Sequence, residues 1–290
     1  RWPGTLALAR VPAGARAWSG ARTGGRGTPA AIALAASGLA GCRASLGFLR
    51  KAGQGRWRAC RAAAACPAQI SSGHFAEVAP GVRLHFAECR PPQGTQERGL
   101  CILLHGFPDY HGSWRRQMPA LAAAGYRVVA PDLRGYGGSS KPAGVENYSQ
   151  AALTSDIARL AELLSEGRGL ALLAGHDWGA FVAWASAAAY PDLFQRLAIL
   201  NVPHPSRFAE GLTTLKQLLK SWYVFAFQVP ALPESIIEFG DLALLRWVIK
   251  RDPDTPPSPE ELREHIASFK ANPGAMQASV NYYRAAGRGL

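Results

Sequence analysis

The stretch Leu170-Ala171-Leu172-Leu173-Ala174-Gly175-His176-Asp177-Trp178-Gly179 runs from a block of apolar residues straight into a turn built around an aspartate. Five apolar residues in a row, with no alternation, read as a parallel strand buried on both faces. Residues 178–190 read as a helix. A strand, a sharp turn and a helix carrying Gly-x-Asp-x-Gly leave the central side chain exposed above the end of a sheet, because the glycines permit the tight turn. A carboxylate held there can attack carbon and form an ester, dividing one hard step into two. Serine would suit acyl transfer; aspartate suits displacement at a saturated carbon. The competing reading is that Asp177 only caps the following helix. The two flanking glycines and the strand–turn–helix setting favour the chemical reading.

Outward from this turn the pattern repeats. Residues 82–87 alternate, with Val82, Leu84 and Phe86 on one face. The runs 100–104, 126–130 and 197–202 read as further strands. Helices are expected over 114–123 and over 150–166, where Leu153, Ile157, Leu160 and Leu164 recur at helical spacing. Strands alternating with helices predict an α/β fold with a mostly parallel sheet. After Pro203 the texture changes: residues 205–287 read as helical, aromatic-rich and interrupted by the proline-rich segment 252–259. A helical cap following a sheet strand fits this region. The expected organisation is a leader over 1–72, an α/β core over 73–204 and a helical cap over 205–290.

Charge is unevenly placed. The chain has 290 residues and a net charge of +12, with 32 Lys and Arg against 20 Asp and Glu. Residues 1–72 carry 11 of the basic residues and no acidic ones, leaving 21 basic against 20 acidic in the remainder. The folded part is nearly neutral, so no basic face for nucleic acid is expected. The Arg- and Ala-rich opening resembles an organelle transit peptide of a chloroplast or mitochondrion; without that role, a cytoplasmic location is expected. No run of about 20 uncharged apolar residues is present, so no membrane span is predicted. The five cysteines, Cys42, Cys60, Cys66, Cys89 and Cys101, form neither a zinc pattern nor a disulfide framework. No metal and no cofactor is expected.

Four motifs in order carry a resemblance. HGFPDYHGSWR (105–115), DLRGYGGSSKP (132–142), GHDWGA (175–180) and NVPHP (201–205) are together similar to an epoxide hydrolase of the α/β-hydrolase fold. The resemblance extends over roughly 73–287. It implies that Asp177 is the nucleophile. It implies that the backbone N–H groups of Phe107 and Trp178 form an oxyanion hole. SWYVFAFQVP (221–230) and NYYR (281–284) resemble the cap segments whose tyrosines donate hydrogen bonds to the epoxide oxygen, which gives that role to Tyr223 and to Tyr283 rather than Tyr282. Such donors are needed because ring opening develops an alkoxide. The alternative for both tyrosines is ordinary packing in the cap. Trp114, Trp178 and Phe225 are expected to line the substrate site. His105, at the strand end, reads as a histidine that buttresses its loop. The implied substrates are an apolar epoxide and water, and the implied product is a vicinal diol.

The family carries its acid and its general-base histidine after the cap, on the last strands of the sheet. Neither His204 nor His265 resembles that histidine. The expectation is therefore a sequence incomplete at its C-terminal side, lacking those strands and the base for ester hydrolysis, with an exposed parallel edge. Two other readings remain. A haloacid or haloalkane dehalogenase would use the same Asp177, although Phe107 offers no side-chain amide to cradle a halide. A non-catalytic binding protein would use neither half of the chemistry.

Overall fold

The computed structural model describes residues 6–10, 68–166, 170–250 and 256–289, the first group by backbone alone. Among the described residues seven strands, β1 (Leu6–Arg10), β2 (Ile70–Ala79), β3 (Val82–Cys89), β4 (Leu100–Leu104), β5 (Arg127–Pro131), β6 (Leu170–His176) and β7 (Arg196–Leu200), form one sheet in the order β1-β7-β6-β4-β5-β3-β2. The central four, β5, β4, β6 and β7, are parallel to one another. The β2–β3 hairpin joins antiparallel through β3 and β5. This is the mostly parallel α/β sheet that the sequence pattern predicts, in the arrangement that the resemblance implies.

β4 shows why that pattern was readable. Leu100, Ile102 and Leu104 enter one core cluster, while Cys101 and Leu103 enter the second. Both faces are covered, so selection for apolar side chains acts at every position rather than at every other one. The helices that cover them are α1 (Gln117–Ala123), α2 (Gln150–Ser165) and α3 (Trp178–Ala189). α2 starts where the Ser149 hydroxyl accepts the Ala152 N–H at 3.4 Å, and it buries Leu153, Ile157 and Leu160. The helix expected over 114–123 is instead a 3-10 turn, His111–Trp114, followed by α1.

Beyond β7 the described chain is all helical: α4 (Pro205–Gly211), α5 (Leu215–Lys220), α6 (Trp222–Ala226), α7 (Leu232–Lys250), α8 (Pro259–Lys270) and α9 (Ala275–Gly287). The proline-rich break ends at α8, where Ser258 and Glu261 exchange side-chain and backbone hydrogen bonds in a capping box. α7 is not straight: Gly240, Asp241 and Leu242 have φ near +60°, a break the sequence reading did not anticipate. α9 is the most deeply set of these helices, with Tyr282 buried and its hydroxyl donating to Arg134 O at 2.6 Å.

Two boundaries differ from expectation. β2 begins at Ile70, ahead of the expected limit at Gly73. Leu6–Arg10, assigned to a leader outside the fold, pairs antiparallel with β7, from Leu6 opposite Leu200 to Arg10 opposite Arg196. The β7 edge that was expected to be bare is therefore paired. The rest of the leader, with Cys42, Cys60 and Cys66, lies outside the described residues. Cys89 and Cys101 are buried free thiols, and burial pushes Cys101 up to about 12. No described helix is long and apolar enough to cross a membrane.

Candidate active site

β6 delivers the chain to Asp177 in a conformation rare for a side-chain-bearing residue, φ 51° and ψ −121°. The turn is tight because α3 starts immediately and crosses close to β4. A Cβ on Gly179 would overlap the carbonyl oxygens of Leu104 and His105, and one on Gly175 would overlap the backbone of Gly179 and Ala180. The elbow glycines are thus required by close backbone approach, not by their own φ. The Asp177 carboxylate emerges at the N-terminus of α3, where helix N–H groups favour negative charge. Its Oδ1 accepts the Phe107 N–H at 2.9 Å. A Cβ on Gly106 would lie 2.7 Å from that Oδ1 and 2.8 Å from His176 O. The loop after β4 therefore presses directly on the elbow.

Aromatic side chains from the helices after β7 gather beside this point. The Tyr283 ring lies 4.9 Å from Trp178, 5.4 Å from Phe107, 4.8 Å from Phe227 and 6.0 Å from Tyr223, all at steep angles. Such edge-to-face contacts suit aromatic quadrupoles. Burial, then the Asp177 carboxylate and Tyr223, push the Tyr283 phenol well above its ordinary pKa, with partial opposition from the Trp178 indole. Burial and the same carboxylate raise Tyr223. Both phenols are therefore protonated at neutral pH. Tyr282, by contrast, has its hydroxyl occupied by Arg134 O.

The remaining expected residues separate. Phe107 and Trp178 flank Asp177, Phe107 with its N–H on the carboxylate and Trp178 as the first residue of α3. Trp114 does not join them. It is buried in the second core cluster with Met118, Cys101 and Leu103, because the 3-10 turn directs it under α1. Phe225 is 57% exposed and belongs to none of the ring contacts around Tyr283. His105 buttresses its loop: it is fully buried, accepts the Leu133 N–H at 3.0 Å and donates to Gly106 O at 2.9 Å. Burial pushes its pKa down, so it is neutral with both ring nitrogens occupied.

Beneath this loop lies a group that sequence reading missed. Asp132 Oδ1 accepts the His111 N–H at 2.9 Å and His111 Nδ1 at 2.8 Å, while Oδ2 accepts His85 Nδ1 at 2.8 Å and the Gly138 N–H at 3.0 Å. His85, His111 and Asp132 have the donor set of a metal site. Their atoms are committed to one another, however, and His85 Nε2 also accepts the Gly73 N–H at 3.1 Å. Burial opposes ionisation of Asp132, but the His111 and His85 hydrogen bonds outweigh it and hold its carboxyl well below the usual carboxylate range. Its contribution to stability is therefore complete above the unfolded value of about 4 and declines as pH falls below it. Asp132→Asn, which sets an amide against two of four donors, should cost roughly 3 kcal/mol at neutral pH. Thermal melts should show the gap to wild type narrowing below about pH 4; a gap independent of pH would contradict the ionised assignment.

None of the seven histidines hydrogen-bonds Asp177. His74 pairs with Ser71, His176 accepts from Asn201, His204 pairs with Ser206 and His265 meets Pro108 O. The last contact, Nε2 to O at 2.6 Å, ties α8 to the loop that carries Phe107. Arg116 adds a 2.9 Å ion pair to Glu261 on the same helix.

A parallel sheet with a sharp strand–turn–helix elbow, roofed by helices that follow β7, defines an α/β hydrolase. The alpha/beta hydrolase fold family model matches residues 100–234. The AB hydrolase superfamily protein YfhM of Bacillus subtilis (strain 168) is 37% identical over 213 residues, covering 72% of this chain and 71% of the relative. Epoxide hydrolase 4 of Mus musculus is 36% identical over 211 residues, covering 70% of this chain but 56% of the relative. Among solved structures, a Bacillus megaterium epoxide hydrolase in complex with an inhibitor superposes with a TM-score of 0.62 at 31% identity, covering 73% of this chain and 71% of that one. An epoxide hydrolase from Vigna radiata gives 0.59 at 29% identity, with 74% and 70% covered. The chain belongs to the epoxide hydrolase family of the α/β-hydrolase superfamily. It spans little more than half the length of its mouse relative.

Proposed function

We propose that this chain opens an apolar epoxide by forming an ester with Asp177. One observation carries the reading: a carboxylate held at positive φ on the elbow is touched by the Phe107 N–H, and the Tyr283 ring packs 5.4 Å from Phe107 and 4.9 Å from Trp178, with the Tyr223 ring 6.0 Å from Tyr283. A carboxylate oxygen attacks the less hindered ring carbon. The C–O bond of the ring breaks, and its electrons go to an alkoxide that takes a proton from one phenol while the other donates a hydrogen bond. Product formation then needs water to attack the ester carbonyl, with the Phe107 and Trp178 N–H groups stabilising the resulting oxyanion. Water must lose a proton to a general base. None of the histidines hydrogen-bonds Asp177, so residues 1–290 are expected to accumulate the ester rather than turn it over.

The test is intact-mass spectrometry of the chain after incubation with styrene oxide. The expected product is protein carrying one epoxide equivalent on Asp177, with little free diol. Tyr223→Phe and Tyr283→Phe should each slow adduct formation by about 10²-fold, because each removes one donor to the developing alkoxide. Catalytic diol release would refute the absence of a base, and no adduct would refute the ester. A dehalogenase would instead release halide from a chloroacid and leave the epoxide untouched.

A further inference from the structure

The two phenols reach the site from helices of very different security. Tyr283 belongs to α9, thirteen residues long and buried on most positions. Tyr223 sits on α6, a five-residue helix with no buried residue, too short to be stable by its own hydrogen bonds. Two donors that must converge on one oxygen need a fixed separation, and a displacement of about 1 Å is enough to cost 10²-fold in rate. Some group must therefore lend α6 the rigidity of α9.

The geometry points to Gln228 as that positioning residue, acting on the reaction proposed for Asp177 and resting on that reading. Its Nε2 donates to Val224 O, the carbonyl next to Tyr223, at 3.0 Å and to the carbonyl of Tyr283 itself at 2.9 Å. One carboxamide thus joins the peptide groups of both phenol-bearing turns. Its Oε1 end lies over Gly287, where a Cβ would sit 2.5 Å away, so the side chain has little room to leave. Arg284 reinforces the same joint from α9, donating to Phe227 O at 3.1 Å and Val229 O at 2.8 Å, on either side of Gln228. Glu234 holds that guanidinium in a bidentate pair. Gln228 is the member to change, because its removal leaves no buried charge unpaired.

Gln228→Met keeps the length and volume and removes both donors. Its adduct formation should fall 10- to 100-fold, mostly in the maximal rate rather than in half-saturation. The loss should grow with the basicity of the departing alkoxide, since weaker alkoxides need less help from the phenols; simple loosening of the cap would slow all epoxides alike. In chain labelled with 3-fluorotyrosine, the fluorine resonances of Tyr223 and Tyr283, assigned through their Phe variants, should both shift. Asn272→Leu, which removes a 2.7 Å bond to Ser268 O at the end of α8, away from both tyrosines, serves as the control and should do neither. Gln228→Asn, one methylene short of both carbonyls, replaces Gln228→Met should the latter not fold. A wild-type rate, an equal loss across epoxides, or unmoved resonances would overturn the assignment. If wild type forms no adduct, the ester reading fails, and the fluorine resonances alone decide whether Gln228 couples the two tyrosines.

Discussion

Asp177→Asn is expected to abolish the covalent adduct, lowering its rate of formation by about 10⁴-fold or more. The amide is nearly isosteric, and its oxygen still accepts the Phe107 N–H now bound by Oδ1. Packing around the elbow is unchanged, so the melting temperature should stay within a few degrees of wild type. What is lost is the proposed nucleophile, since an amide oxygen does not carry the charge that attacks carbon. Peptide mapping of the wild-type adduct supplies the matching positive result, with the added mass on the peptide containing Asp177. An Asn variant that is alkylated at the wild-type rate would mean that another group reacts. The two described cysteines are poor candidates for that role, because both are buried and burial raises both thiol pKa values.

Gly179→Ala should have the largest effect on stability. In an ordinary helix the change from glycine to alanine stabilises by about 1 kcal/mol. Here the added Cβ overlaps the carbonyl oxygens of Leu104 and His105, which are backbone atoms at the end of β4 and cannot rotate away. Relief requires α3 to lift from the sheet, moving Asp177 with it. A loss above roughly 4 kcal/mol is expected, the range reached only by severe mechanisms. For a domain of this size that is a fall of about 10 °C or more in melting temperature, together with loss of the adduct. A melt at or above the wild-type temperature would show that helix propensity outweighs the contact and that α3 lies further from β4.

The sequence made the centre of the sheet legible because β4 and the first five residues of β6 are apolar at every position, a signal that needs no knowledge of neighbours. The elbow was legible because its glycines and aspartate fall within five residues, 175–179. The cap phenols were reached through resemblance, since nothing in local periodicity separates Tyr283 from Tyr282; the difference is that Tyr282 meets Arg134 O across the fold. The unread features are pairings between distant residues. Gln228 meets Tyr283, Arg284 meets Glu234, and Asp132 gathers His85 and His111. Leu6–Arg10 reads as part of an Arg-rich opening until its partner on β7 is known. Trp114 was assigned to the site by its motif, but the 3-10 turn sends it to the other core cluster. Periodicity reports which face of one element is buried, not which of two buried clusters receives it.

The backbone of Asp177 sets folding and chemistry against each other. A side-chain-bearing residue at φ 51° and ψ −121° costs of order 1–3 kcal/mol, which the rest of the domain must offset. Glycine would adopt the same torsions without that cost, so the most stable residue at this position is one that carries no carboxylate. Redesign of the chain for stability alone would be drawn to the very substitution that empties the elbow. Any thermostable version must therefore gain its stability elsewhere and leave this torsion strained.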